Sequence, residues 1–168
     1  MNTYAPQLES AFKELQYVLS SLTEEQLNKV PFEGSWTAGQ VGDHLLKSYS
    51  VAETLKGRTA AANRPPDEKA EQLKNIFLDF STKLKSPDFI IPTNDHINKD
   101  ELLKNIGEKI KDILHSVQTK DATELCLDFE PPVIGKLTRL EWTCFVFAHT
   151  TRHIHQLKKI IGSMAAAQ

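Results

Sequence analysis

Two histidines lie four residues apart near the C-terminal end of the chain, His149 and His153. Residues with this spacing share one face of an α-helix, so their imidazoles can present ring nitrogens to the same metal ion. Zinc proteases of the His-Glu-x-x-His type need a glutamate directly after the first histidine as general base. Thr150 occupies that position here, which excludes this protease chemistry. A metal site built on the pair therefore needs at least one further ligand from elsewhere in the chain.

The segment that carries this pair is predicted to be one long helix. Thr138 followed by Glu141 is a capping box, and Gly162 stands where a left-handed cap would end a helix, so helix is predicted over residues 138–161. The face that holds the two histidines is otherwise Trp142, Phe145, Val146, Gln156, Leu157 and Ile160. The imidazoles are thus predicted to point into a core, either as metal ligands or as ordinary hydrogen-bonded core histidines.

Composition limits the classes of function. The 168 residues, 40% hydrophobic and 25% charged, suit a single soluble domain spanning 1–168. A formal net charge of −2 gives no electrostatic reason to expect nucleic acid or an anionic membrane as partner. Apolar runs fall far short of the roughly 20 residues of a membrane span, and the N-terminus does not resemble a secretory signal.

The two cysteines, Cys126 and Cys144, do not make a disulfide framework. A reducing, cytoplasmic location is therefore expected. Cys144 lies about 140° around the helix from His149 and is predicted to be a small buried residue, not a third ligand.

Hydrophobic periodicity predicts an all-α protein. Helices are predicted over residues 6–22, 37–56, 67–80 and 98–117, with a short helical turn after Thr23. Connections are predicted at 57–66, at 81–98 with an extended piece from Asp88 to Pro92, and at 126–134. Together with the C-terminal helix this pattern fits a four-helix bundle with an extra short helix and long loops.

A third histidine, His44, lies on the edge of the apolar stripe of the second helix. That helix also tolerates Gly39 and Gly42, each destabilising by about 1 kcal/mol relative to Ala, which indicates close approach of another backbone or compensation by packing. Because a bundle gathers inward-facing side chains from different helices, His44 can join the C-terminal pair in a three-nitrogen site with an open fourth position. Nitrogen ligands alone do not choose among Zn, Ni, Fe(II), Co and Mn.

Two segments resemble motifs of the DinB/YfiT-like superfamily. One is WTAGQVGDHL at residues 36–45, and the other is FAHTTRHIHQL at residues 147–157. The resemblance spans nearly the whole chain and implies an up-down-down-up four-helix bundle, often dimeric, that binds one divalent metal ion. It implies His44, His149 and His153 as the ligands.

The resemblance also implies chemistry, because members are described as metal-dependent hydrolases and similar proteins transfer or isomerise adducts of low-molecular-weight thiols. We therefore expect a metal-dependent hydrolase or thiol S-transferase with a small-molecule substrate. For hydrolysis, we expect a metal-bound water as nucleophile; no general base stands out. The alternative is a non-catalytic helical-bundle binding or stress protein whose histidines or metal are structural.

For the other polar residues near the motifs, the sequence gives weaker indications of a role at the site. Gln156, one turn past His153, can bind substrate or the second nitrogen of a ligand. Arg152 can bind a carboxylate or thiolate substrate, with an exposed helix charge as the alternative. Asp43 points about 100° away from its histidine neighbour and is predicted to be solvated.

The remaining histidines are predicted to lie outside the site. His155 points about 120° away from His149 and is expected at the surface or at a dimer interface. His96 and His115 are expected to be exposed.

Overall fold

The structure is a computed structural model that describes residues 2–167. Within this range helices dominate, which confirms the all-α prediction. The α-helices are α1 Ala5–Ser20, α2 Glu24–Asn28, α3 Ala38–Ser48, α4 Val51–Lys56, α5 Ala70–Phe77, α6 Lys99–Thr119 and α7 Arg139–Ala166. A 3₁₀-helix at Asp88–Ile90 and two short strands, β1 Thr59–Ala60 and β2 Leu125–Cys126, complete the structure.

The direction of each long helix follows from its side-chain contacts. Lys56 at the end of α4 pairs with Asp112 in the second half of α6 at 3.0 Å, whereas Gly42 in α3 faces Leu102 at the start of α6. The α3–α4 pair and α6 are therefore parallel. Arg139 at the start of α7 donates to the carbonyl of Leu55 near the end of α4, so α7 runs antiparallel to that pair.

Helix α1 completes the bundle by packing against α6 and α7. Asn2 contacts Thr143 and Glu14 pairs with Lys158, so α1 runs parallel to α7. The Lys99 ammonium at the start of α6 donates to the carbonyl of Ser20 at the end of α1, which makes these two helices antiparallel. The order is therefore up, down, down, up.

The predicted capping boxes set three helix starts. At Thr23, Thr37 and Thr138, the threonine hydroxyl accepts from the backbone N–H three residues later, and the Gln or Glu at that position accepts from the threonine N–H. These reciprocal bonds satisfy two backbone donors at the start of α2, α3 and α7.

The glycines of α3 permit close packing. A Cβ on Gly39 would lie 3.0 Å from the carbonyl oxygen of Leu27, so the predicted backbone approach is present, made by α2. At Gly42 the close neighbour is a side chain, because a Cβ there would lie 2.8 Å from Leu102 Cδ2.

The predicted end of the last helix was wrong. Gly162 is an interior residue of α7, which continues to Ala166. It has open space around its Cα, while Ile160 and Met164 on either side are buried. The apolar stripe therefore continues past the glycine and maintains the helix.

Other boundaries also differ from the prediction. The second helix is interrupted at Tyr49–Ser50, where i→i+3 hydrogen bonds join α3 to α4. The third helix is confined to α5, and the predicted extended piece at 88–92 begins as a 3₁₀ turn. The connections at 57–66 and 126–134 both contribute a strand, because Thr59–Ala60 pairs antiparallel with Leu125–Cys126. Two paired residues per strand give no periodic signal in the sequence.

Within residues 2–167, no helix combines the length and the apolar character that crossing a bilayer requires.

Candidate metal centre

Three imidazoles converge between α3 and α7. His149 Nε2 lies 3.2 Å from His44 Nε2 and 3.1 Å from His153 Nε2, and one ligand nitrogen from each ring falls within 4.8 Å of the others. All three side chains are buried. Tetrahedral coordination with metal–nitrogen bonds of about 2.0–2.1 Å separates two ligand nitrogens by about 3.3 Å. The spacing of these nitrogens therefore fits a single ion.

The second nitrogen of two rings is held by a fixed acceptor. His44 Nδ1 donates to the carbonyl oxygen of Ile90 at 2.8 Å, and His153 Nδ1 donates to Gln156 Oε1 at 2.7 Å. In a neutral imidazole with Nδ1 protonated, Nε2 is only an acceptor. Such outer contacts fix the tautomer and the orientation of metal-binding histidines.

This hydrogen bonding leaves a surplus of acceptors at the centre. His149 Nε2 lies against two acceptor nitrogens, those of His44 and His153, and carries at most one proton. At least one of the two short N···N contacts therefore has no hydrogen between its atoms. A bound cation would turn this repulsion into coordination, so the donor set fits a divalent metal ion.

Burial keeps these imidazoles neutral. It lowers the pKa of His153 to about 3, and the neighbouring His44 contributes to the shift. Burial also lowers the pKa of His149 well below its ordinary value, with both other site histidines adding to the effect, and it lowers the pKa of His44. Metal binding needs the neutral form, so the site is ready for a cation at neutral pH.

A loop segment, residues 88–94, is bound along α3 beside His44. Gln40 Nε2 donates to the carbonyl of Thr93 at 3.0 Å, and Lys47 Nζ donates to the carbonyl of Ile91 at 2.9 Å. The residues that hold this segment lie on the helix face of His44, at positions i−4 and i+3. They therefore hold in place the segment whose Ile90 carbonyl orients the His44 ring.

Asp43 belongs to the same arrangement, and the prediction that it is solvated was wrong. Its carboxylate accepts from the backbone N–H of Thr93 at 2.8 Å and pairs with Lys47 at 2.9 Å. Its helical angle does direct it away from the imidazoles, but the 88–94 segment covers that side of α3. The position of a distant loop is not encoded in helical periodicity.

Aromatic side chains surround the imidazoles. The Trp36 ring lies 5.1 Å from that of His44, and the Phe145 ring stacks on His149 at 5.3 Å with an interplanar angle of 14°. Phe77 of α5 packs edge-on against His149 at 5.7 Å. This apolar shell strengthens electrostatic interactions at the centre by lowering the local dielectric constant.

The two predicted accessory residues have different environments. Gln156 contacts the second nitrogen of His153, one of the two roles considered for it. The Arg152 guanidinium donates to the backbone carbonyls of Phe77, Asp79 and Thr82, at and just beyond the end of α5. A substrate-binding role for Arg152 stays a prediction.

The other histidines lie outside the cluster. His96 and His115 are exposed as predicted, and His96 Nε2 contacts Glu24 at 2.8 Å. His155 is exposed and stacks on Phe80 with ring centroids 4.2 Å apart.

Neither cysteine offers a reactive thiolate. Cys126 and Cys144 are free and buried, as predicted for Cys144. Burial raises the pKa of both thiols to about 11, so they remain protonated at neutral pH. A thiol chemistry at this centre would need a thiol from outside the protein.

Two groups at the site, the Ile90 carbonyl and the Phe77 ring, were not predicted from the sequence. A backbone acceptor has no residue-type signal, and only the apolar character of Phe89-Ile90-Ile91 indicated that this segment packs on the bundle. Phe77 lies in the helix predicted over residues 67–80, but nothing in the sequence indicates that this helix contacts His149.

Two surface grooves lie away from the histidines. One, of about 380 Å³, is formed by α1 and α7 and is lined by Pro6, Gln7, Ser10, Ala11, Glu14, Phe147 and Thr151. The other, of about 340 Å³, is lined by Leu46, Asn105, Glu108, Lys109 and Asp112. Neither lining set contains a site histidine.

The fold and the cluster define a class: helical bundles that carry a three-histidine candidate metal site between antiparallel helices. The chain belongs to the DinB superfamily, whose family model matches residues 7–157. It is similar to the uncharacterized protein YuaE of Bacillus subtilis (strain 168), with 29% identity over 146 residues that cover 84% of this chain and 87% of the relative. No solved structure matches it significantly.

Proposed function

We propose that this protein is a metal-dependent enzyme that binds one divalent ion through His44, His149 and His153. It hydrolyses a small molecule or transfers a low-molecular-weight thiol to one. The main support for this proposal is that His149 Nε2 lies 3.2 Å from His44 Nε2 and 3.1 Å from His153 Nε2, in a buried cluster with too few protons to place one in each contact.

Three nitrogen ligands leave coordination positions open, as in catalytic zinc sites. An ion held this way lowers the pKa of a water or thiol that binds to it, which provides a nucleophile at neutral pH. The protein contributes orientation: the Ile90 carbonyl and Gln156 hold two of the rings. Phe77 and Phe145 limit water around the third ring, that of His149.

The second candidate is a non-catalytic bundle in which the ion is structural. It is favoured by the position of the cluster, because one ligand comes from α3 and two from α7. An ion there cross-links two helices distant in sequence and stabilises the folded state by mass action. In this case the protein would act as a binding or stress protein.

The experiment compares wild type with His149→Ala, purified without an affinity tag. Metal content, thermal stability and turnover are measured after loading with Zn²⁺, Ni²⁺, Fe²⁺ or Mn²⁺, against a panel of esters, amides and electrophiles with and without added thiol. If the protein is a metal-dependent enzyme, the variant should lose metal and turnover but keep its helical circular dichroism. The structural alternative predicts lost stability, with no turnover in wild type.

Added thiol separates the two reactions. Turnover that requires thiol supports S-transfer, and turnover without it supports hydrolysis. His155→Ala is the matched control, because this exposed histidine lies on α7 but outside the cluster. It should leave metal content and turnover at wild-type values.

A further inference from the structure

A line of aromatic contacts leads away from the histidine cluster. Phe145 stacks on His149, and Trp142, one turn earlier in α7, packs edge-on against Phe145 with ring centroids 5.4 Å apart. The Trp142 ring in turn lies 5.9 Å from that of Phe129, in the loop after β2. Aromatic contact therefore continues from the cluster to a non-helical connection.

The line returns to the cluster through the 88–94 segment. Phe129 packs against Phe89 with centroids 6.0 Å apart, and Phe89 directly precedes Ile90, whose carbonyl accepts from His44. We call Phe89, Phe129, Trp142 and Phe145 the aromatic circuit. It begins at Phe145, which stacks on His149, and ends at Phe89, the residue before the carbonyl that contacts His44.

The outer half of the circuit is exposed although it is apolar. Phe89 is 64% exposed and Phe129 is 38% exposed, while Trp142 is only 2% exposed. Exposed apolar side chains that are contiguous with one another mark interaction or ligand-binding sites. Phe129 lies in the connection after β2, whereas Phe89 lies in the 3₁₀-helix Asp88–Ile90 at the start of the anchored 88–94 segment.

A buried donor within the circuit has no acceptor. Among residues 2–167, the buried side-chain polar atoms without a hydrogen-bond partner are Ser116 Oγ and Trp142 Nε1. An indole N–H is a donor only, and buried tryptophans usually find a partner because an unmet donor is unfavourable. A ligand that enters beneath the exposed Phe129 ring and brings its own acceptor would satisfy this buried donor.

We propose that the aromatic circuit is the substrate-binding surface of the metal centre. It accepts a neutral molecule with a flat aromatic group and a hydrogen-bond acceptor, such as a carbonyl oxygen, that binds Trp142 Nε1–H. We take the ligand to be uncharged because aromatic side chains offer no ion-pair partner, and because the residues next to the two exposed rings, Asp88, Asp128 and Glu130, are acidic and disfavour an anion. This inference rests on the proposed function for its biological meaning.

The test measures binding of matched probes to the metal-free protein by NMR. 2-Acetonaphthone has the ring and the acceptor, 2-ethylnaphthalene has only the ring, and 2-naphthoate adds a negative charge. The chain has two tryptophans, so two indole N–H signals are expected, and Trp142→Phe assigns one of them. The ketone should shift the Trp142 signal downfield, the hydrocarbon should bind without that shift, and the anion should bind more weakly than the ketone.

Variants distinguish the contribution of the Trp142 Nε1–H donor to probe binding from that of the exposed aromatic rings. Trp142→Phe should weaken ketone binding about 3- to 10-fold more than it weakens hydrocarbon binding, the range for one hydrogen bond, because both probes lose the indole surface but only the ketone loses the donor. Phe129→Ala, at an exposed position, should weaken both neutral probes about fivefold. Tyr17→Ala removes a 74% exposed aromatic ring on α1 and should change neither.

The proposal is overturned if millimolar ketone leaves the Trp142 signal in place, or if Tyr17→Ala reduces binding as much as Phe129→Ala. Zinc stoichiometry is measured on the same samples. Zinc binding without probe binding would refute the surface and leave the metal centre intact. Probe binding without zinc binding would refute the proposed function and leave the surface intact.

Discussion

The direction of an imidazole in this site is decided by the partner of its second nitrogen. A carbonyl can only accept, so the Ile90 oxygen requires a proton on His44 Nδ1 and turns the lone pair of Nε2 inwards. Gln156 Oε1 does the same for His153. Residues outside the ligand set thus decide which atoms meet at the centre.

Burial of these imidazoles predicts acid sensitivity of the metal-free protein. Their pKa values are lowered on folding, to about 3 for His153, so between pH 7 and pH 5 the unfolded chain binds protons that the folded chain does not. The free energy of unfolding should therefore decrease as the pH is lowered from 7 to 5, by at most about 1.4 kcal/mol per pH unit for each histidine. Above pH 7 it should not change with pH. Urea titrations at pH 7.5, 6 and 5 measure it.

Two variants test which histidines cause this pH dependence. His115→Gln alters an exposed histidine on α6 and should retain the wild-type slope, whereas His153→Asn removes one of three contributions and should reduce the slope by up to about 1.4 kcal/mol per pH unit. A wild-type free energy that does not change between pH 7 and pH 5 would contradict the buried neutral state.

The Gln156 contact predicts a graded effect on metal affinity. Gln156→Ala removes the acceptor for His153 Nδ1 and should weaken zinc binding about 10- to 100-fold, the usual effect of losing such an outer contact. Gln156→Glu keeps an acceptor oxygen and should stay within a few-fold of wild type. Competition with a chelating dye measures both, and equal affinities for the Ala and Glu variants would contradict the orienting role.

At the scale of elements, the 88–94 segment and α3 act together. Asp43 and Gln40 both bind the Thr93 backbone, three residues after the carbonyl that orients His44. Loops are usually the mobile parts of a protein, and this one is anchored at several points along one helix face.

Asp43→Ala should release this segment. Amide hydrogen exchange at residues 90–93 should accelerate, and zinc affinity should fall about tenfold because the orienting carbonyl becomes mobile. Asp43→Asn retains an acceptor oxygen and should show smaller changes in both measurements. Faster exchange with unchanged affinity would show that the segment does not position His44.

The start of α7 depends on one buried carboxylate. Glu141 accepts from both Arg64 terminal nitrogens, at 2.6 and 2.7 Å, and from the backbone N–H groups of Lys69 and Thr138. Glu141→Ala leaves Arg64 without its buried partner and should destabilise the protein by about 3–5 kcal/mol. Glu71→Ala, which breaks an exposed i,i+3 pair with Lys74, should stay below about 1 kcal/mol. Urea denaturation compares them, and equal losses would contradict this role.

Local signals in the sequence predicted the elements better than their ends. The capping boxes at Thr23, Thr37 and Thr138 were readable because all their partners lie within three residues. Gly162 was misleading, because a glycine on an exposed helix face needs no special conformation when the buried stripe continues. The β1–β2 pairing was not readable, because it joins segments far apart in the chain.

At the scale of the whole molecule, antiparallel packing of α3 and α7 creates the site. It brings His44 against His149, although 105 residues separate them in the chain. This contact was predicted from the inward-facing positions of the histidines on two different helices and from the family resemblance. The hydrogen bonds to Asp43 and Ile90 depend on how a distant loop lies over α3, which neither motif encodes.

The most direct test of the three-histidine site is calorimetric titration of Zn²⁺ into the metal-free, tag-free protein. We expect one site per chain, with zinc affinity strongly weakened in His44→Ala and unchanged in His155→Ala. Zinc binding that persists at full affinity in His44→Ala, or no binding to wild type, would contradict the claim that three imidazoles from two helices hold one ion.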